Sequence, residues 1–175
     1  MKTPRALKKR IVRETQAAMR SRYAGPAHAA CLYWAANVIQ IASRYGVRLI
    51  PQAGSASWAR VPLAEDDGVI ATHFSYEWQG IDAAPTRAAI DAGVLPELHV
   101  WAADPRAMEI VDLTTGYQAL QCVERIGLEW RTPPLPAWLW AGRAGLPEGT
   151  VYRPAEDATR FVVGLITRNR LGGEV

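Results

Sequence analysis

Apolar positions recur at helical spacing through the first forty or so residues and then give way to shorter, partly alternating runs. In residues 2 to 22, Leu7 and Ile11, with Val12 or Met19, form one stripe among basic residues, which predicts an amphipathic helix. Gly25-Pro26 breaks that pattern. From about 27 to 45, Cys31, Trp34, Ala35, Val38, Ile39 and Ala42 repeat at the same spacing and more densely, as a buried helix ending at Gly46 would. Val47 to Ala53 reads as a strand, with Ser57 to Pro62 as its continuation. Asp66-Asp67-Gly68 has hairpin-turn chemistry, and Val69 to Gln79 alternates as a strand should. Pro85 to Ala92 suits a short helix stopped by Gly93.

Two further strands follow, Glu97 to Ala102 and Met108 to Leu113. Asp104-Pro105 favours the start of a type I turn, so Asp104 to Ala107 is expected to form a four-residue hairpin loop. That loop pairs Ala103 with Met108 and sets His99 directly opposite Asp112, on one face of the sheet. A slip of one residue would put the two side chains on opposite faces. Thr114-Thr115 then caps a short helix reaching Cys122 or Arg125. Prolines 133, 134, 136 and 147 punctuate the remainder, around Trp138-Leu139-Trp140 and a late strand at Val151-Tyr152. Asp157 to Leu165 fits a closing helix or a closing strand. Helices first and a mostly antiparallel sheet afterwards make an α+β layout.

Composition bounds the class. A chain of 175 residues, 49% hydrophobic and holding seven tryptophans, suits one ordered domain, here read as residues 23 to 175 with 1 to 22 as an accessory helix. No apolar run approaches the roughly 20 residues of a membrane span. The charged N-terminus lacks the apolar segment of a signal peptide, and two cysteines do not suggest a disulfide framework, so a cytoplasmic setting is expected. The net charge of +3 conceals an asymmetry. Residues 1 to 22 carry eight basic residues against Glu14 alone, +7, which leaves −4 for the rest. The plain reading is a solvated helix face; the sharper one is a contact for nucleic acid, an acidic partner or a membrane surface. No aromatic residue interleaves these charges before Tyr23, which argues against specific nucleic-acid binding.

Cys31, His99 and Asp112 supply a thiol, an imidazole and a carboxylate. A cysteine nucleophile needs those groups in that order of contact: thiolate to attack, imidazole to carry the proton, carboxylate to orient the imidazole. Each has a plainer reading. Cys31 on a helix could be a small core hydrophobe, as Cys122 is taken to be. His99 alone could be a core histidine, and Asp112 could cap the Thr114 turn. Their combination favours chemistry. Trp101 shares the strand face of His99 and is expected to shield the imidazole. Trp34 and most other tryptophans are read as core, and His73 as structural or at a rim. A His28/Cys31/His99 metal site lacks a fourth ligand, so no metal or other cofactor is assigned.

A helix-borne cysteine, an H-x-W strand (His99-Val100-Trp101) and an I-V-D-L-T strand (Ile110 to Thr114) resemble the transglutaminase-like core of the papain-like cysteine hydrolases. The resemblance spans roughly residues 25 to 118. It implies a helix carrying the cysteine packed on an antiparallel sheet, with Cys31 as nucleophile, His99 as base and Asp112 as orienting carboxylate. Ala29-Ala30 stands where the family often has Gly-x before the cysteine, and Gly25 where papain has an oxyanion-stabilising glutamine. An oxyanion hole must therefore use backbone N–H groups such as that of Cys31, with Gln52 and Asn37 as side-chain candidates. The implied activity is thiol-dependent acyl transfer, first of all hydrolysis of a peptide, isopeptide or amide bond in a peptide or protein. Transfer to an amine acceptor, as in transglutaminases and N-acyltransferases, and a binding module that retains the fold are the alternatives.

Overall fold

A computed structural model describes residues 2–22, 30–62 and 72–169. The Gly25-Pro26 break, His28 and the Asp66-Asp67-Gly68 turn lie outside them. Among the described residues five α-helices and six strands follow in the order α1 (Arg5–Arg22), α2 (Cys31–Ser43), β1 (Ile50–Ala59), β2 (His73–Tyr76), α3 (Ala84–Asp91), β3 (His99–Asp104), β4 (Glu109–Asp112), α4 (Gln118–Ile126), β5 (Leu139–Gly142), β6 (Val151–Pro154) and α5 (Glu156–Arg168). The α+β class stands. Among the described residues no helix is long and apolar enough to cross a membrane.

All strand pairings are antiparallel, and β1 is their hub. The two segments read as strand and continuation form this single ten-residue strand. Gly54 pairs with both His99 and Pro154, and Ala56 with both Tyr76 and Tyr152. A strand residue has one neighbour on each side, so β3 and β2 follow one another along one edge of β1 while β6 runs along the other. The start of β3 and the end of β2 therefore meet, with His99 and Tyr76 on either side of the junction. Gly54 is required there: a Cβ would sit 2.2 Å from the Arg153 carbonyl oxygen.

Alternation divides the side chains. Ala53, Val100, Ala102 and Val111 face the helical layer, where they pack on Leu32, Ala35, Trp34 and Val38 of α2. Ile11, Val12 and Met19 of α1 enter the same core, and Ala158 and Val162 of α5 close its other end. Glu156 and Asp157 in the first turn of α5 complement the helix dipole. Together with the buried stripe, they settle this ambiguous segment as a helix. Trp58, Phe74, His99, Trp101 and Tyr152 point to the opposite face, which the Cys122 side of α4 and Leu128, Trp130 and Leu135 cover. Both faces of β3 are thus buried along its whole length. Trp34, Trp58, Trp101 and Trp140 are core residues, as expected.

Two local readings need correction. The β3–β4 hairpin pairs Asp104 with Glu109 and Ala102 with Val111, which makes the loop Pro105 to Met108 rather than Asp104 to Ala107. Asp104 stays in the strand because its carboxylate accepts the N–H groups of Arg106 and Ala107. Met108 closes the loop in a left-handed conformation, φ 53°. His99 is therefore not opposite Asp112, which lies level with Trp101. The loop moved by one residue, which shifts the pairing by two, so face parity survives and His99 meets Asp112 on the diagonal. Nor do Thr114 and Thr115 cap α4. Their hydroxyls donate to Asp112 and to the Pro136 carbonyl, and a turn of 3-10 helix, Thr115–Tyr117, leads into the helix.

Candidate active site

Cys31 is the first residue of α2, with Ala30 at the N-cap position and no side chain there to bond the helix's free N–H groups. It therefore sits at the positive end of the helix dipole, beside the junction of β2 and β3. Cys31 and His99 line one cavity of about 340 Å³. Tyr76, Gln118, Gln121 and Arg125 contribute to its walls.

His99 is 1% exposed, and its Nε2 lies 2.8 Å from Asp112 Oδ2. A carboxylate only accepts, so Nε2 carries the proton. Asp112 is fully engaged. Oδ2 also accepts the Tyr152 hydroxyl at 2.7 Å, while Oδ1 accepts the Thr114 N–H at 2.8 Å and its hydroxyl at 2.6 Å. The aspartate bonds both the imidazole and the Thr114 turn, one oxygen for each. Four donors hold it in one orientation.

These contacts set the charge of the pair. Burial by itself opposes ionisation of both groups. For His99 the Asp112 charge and hydrogen bond override it, with a further contribution from Cys31, and raise the imidazole to about 10. Burial would raise the Asp112 carboxyl too, but the His99 charge and the hydrogen bonds from His99, Thr114 and Tyr152 hold it below the ordinary range. Tyr152 remains a neutral donor, because burial and the adjacent carboxylate push its phenol well above 10. The pair is accordingly an imidazolium against a carboxylate. His99 Nδ1 is buried and makes no hydrogen bond of ordinary geometry among the described residues, though Cys31 is near enough to help raise the imidazole. Leaving such a group unpaired costs about 1–3 kcal/mol.

Aromatic rings enclose the imidazole. Trp101 stacks on it at 6.1 Å between centroids and 19° between planes. Trp58 meets it edge-on at 5.2 Å, and Tyr76 lies at 5.3 Å. The ring is thereby almost sealed from solvent.

The oxyanion candidates are placed elsewhere. Gln52 does not line the cavity; its Oε1 accepts the Trp101 indole N–H at 3.0 Å, so it steadies Trp101 instead. Asn37 is buried between α2 and α1, donating to the Tyr33 carbonyl and to Met19 Sδ. It sits nearly two turns along α2 from Cys31, within the helical layer. Cys122 keeps its plain reading: it is fully buried, donates to the Leu128 carbonyl, and burial pushes its thiol up. His73 pairs with Thr72 away from the cavity. His28 is outside the described residues, and among those described no three His, Cys, Asp or Glu side chains cluster as metal ligands.

Tyr152, Thr114, Tyr76 and the α4 trio Gln118, Gln121 and Arg125 were not singled out as site residues in the sequence. The trio did carry a signal, polar residues at i, i+3 and i+7 on one helix face. Tyr76 donates to Gln121 Oε1, and the Arg125 guanidinium lies over the Tyr76 ring at 4.5 Å. Tyr152 had none, because nothing local connects it to a residue 40 positions earlier. No family model, curated protein or solved structure matches this chain.

Proposed function

We propose that this chain is a thiol-dependent acyl-transfer enzyme, a cysteine hydrolase of peptide, isopeptide or amide bonds, built on a papain-like, transglutaminase-like fold. One observation carries the reading. A buried His99–Asp112 pair leaves Nδ1 of the imidazole without a partner, in a cavity that also receives a cysteine from a helix N-terminus. Most buried polar groups are paired, and it is the shared cavity with Cys31 that turns the unpaired nitrogen towards chemistry.

In this mechanism the Cys31 thiolate attacks the substrate carbonyl carbon. The developing oxyanion is met by backbone N–H groups at the start of α2, including that of Cys31. As the tetrahedral adduct collapses, the imidazolium gives its proton to the departing amine and an acyl-thioester remains. Neutral His99 then takes a proton from water, whose oxygen attacks the thioester, and the carboxylic acid leaves as the thiolate returns. Asp112 orients the ring throughout and stays ionised. Two free cysteines fit a reducing, cytoplasmic setting. The exposed basic residues of α1, among them Lys9, Arg13 and Arg20, offer a face for an acidic partner.

Alkylation by iodoacetamide at pH 7, followed by peptide mapping, tests the assignment. Cys31 is expected to react at least about 100-fold faster than Cys122, and His99→Gln to remove most of that advantage. Earlier modification of Cys122, or indifference of Cys31 to His99→Gln, would overturn it.

A further inference from the structure

The Gln118 side chain is held by a chain of donors whose direction is set at one end. The Asp112 carboxylate only accepts, so Thr114 Oγ1, 2.6 Å from Oδ1, must donate to it. The lone pairs left on that hydroxyl, and the Thr114 carbonyl, then accept the Gln118 amide nitrogen, each at 3.4 Å. Reversing the amide would set its oxygen against the Thr114 carbonyl, acceptor against acceptor. Gln118 Oε1 is therefore turned away from Thr114. It is buried in a residue 1% exposed, and it has no hydrogen-bond partner among the described residues. Gln118 lines the cavity shared by Cys31 and His99. A buried carbonyl oxygen left without a donor, in a residue that lines this cavity, is an acceptor awaiting one.

We propose that Gln118 Oε1 is a substrate-recognition acceptor, and that the substrate is a secondary or primary amide presenting an N–H into this cavity. The inference rests on Cys31 being the nucleophile and narrows what it attacks: peptide-like amides are favoured over esters and tertiary amides. Gln118 is a binding residue in this scheme. It is tied to Asp112 through Thr114, so the acceptor and the imidazole are held by one network.

Three alkylating reagents separate the possibilities. Iodoacetamide carries N–H groups, methyl iodoacetate is an ester of similar size without them, and N,N-dimethyliodoacetamide is an amide without them. With each, the thiolate sulfur displaces iodide and forms a thioether. Rates at Cys31 are divided by those of free cysteine with the same reagent. Iodoacetamide is expected to exceed both N–H-free reagents by about tenfold, the rate equivalent of one hydrogen bond. In Gln118→Met the ratios should fall to those of free cysteine. Equal normalised rates in the wild-type protein, or a preference that survives Gln118→Met, would overturn the inference. The wild-type comparison decides the matter even where the variant does not fold. If Cys31 reacts no faster than Cys122 with iodoacetamide itself, the catalytic reading fails and takes this one with it. If Cys31 is fast but indifferent to N–H, a bound water satisfies Gln118 and only the substrate assignment is lost.

Discussion

At the scale of single residues, the consequences follow from Asp112. It accepts four hydrogen bonds, and His99 is raised to about 10 chiefly against the pull of burial. Asp112→Asn keeps the shape and removes the charge, so the buried imidazole loses its reason to be protonated. The rate constant of Cys31 alkylation at pH 7 should fall by about 100-fold or more while the circular dichroism stays native. An Asp112→Asn protein that unfolds while its soluble fraction keeps rapid Cys31 alkylation would instead mark Asp112 as a structural cap. The same charge has a signature in stability. His99 is raised above its unfolded value near 6.5, so its contribution is complete below pH 6.5 and is lost as pH rises towards 10. Asp112 is lowered, so its contribution is present above about 3.8 and is lost on acidification through its folded value. The stability gap between wild type and Asp112→Asn should therefore be widest from about pH 4 to 6.5 and should narrow on both sides. Denaturant titrations across pH measure it; a gap that grows between pH 7 and 10 contradicts the charge assignment.

At the scale of elements, the site depends on how strands cross at one point of β1. Gly54 lies between His99 and Pro154, and a methyl group there would overlap the Arg153 carbonyl at 2.2 Å. Because that atom is backbone, β6 must move, and Tyr152 with it. Gly54→Ala should cost about 3 kcal/mol, seen as a melting temperature lower by roughly 6–12 °C. It should also slow Cys31 alkylation by displacing the Tyr152 donor; a variant melting as wild type would show that the strands part without strain. The hairpin makes a complementary point. Its turn was legible in Asp104-Pro105, but its register was not, because Asp104 can either open the loop or bond it from the strand. The structure takes the second course, and the side-chain bonds to Arg106 and Ala107 are what decide it.

At the scale of the whole molecule, α1 is less separate than its charge suggests. Its basic face is exposed, yet Ile11, Val12 and Met19 belong to the core of α2 and the sheet. Lys8 reaches Glu109 at 2.6 Å where both are nearly buried. Ile11→Ala should destabilise the protein by about 2–4 kcal/mol. Alkylation of Cys31 in the folded fraction should be unchanged, since α1 does not line the cavity. A folded Ile11→Ala protein with an inert Cys31 would show that α1 also shapes the site. Deleting residues 1 to 22 strips the outer layer from α2, and the expected result is loss of cooperative melting by circular dichroism.

The sequence by itself determined most of the elements and presented the candidate groups. Helical and alternating patterns report how each segment buries its apolar face, a local property that survives reading one residue at a time. The thiol, imidazole and carboxylate were recognisable because their chemistry resides in the side chain. What only the tertiary structure decided is which oxygen meets which nitrogen. The diagonal contact of His99 with Asp112, the Tyr152 hydroxyl arriving from β6, and the placing of Gln52 and Asn37 away from the cavity all depend on strand register and crossing order. Those are settled by the sum of packing on two faces of one sheet, with Gly54 as the point of closest approach. Gln118 shows the division most plainly: its helix was readable in the sequence, while its unpaired oxygen exists only because Asp112, through Thr114, turns its amide round.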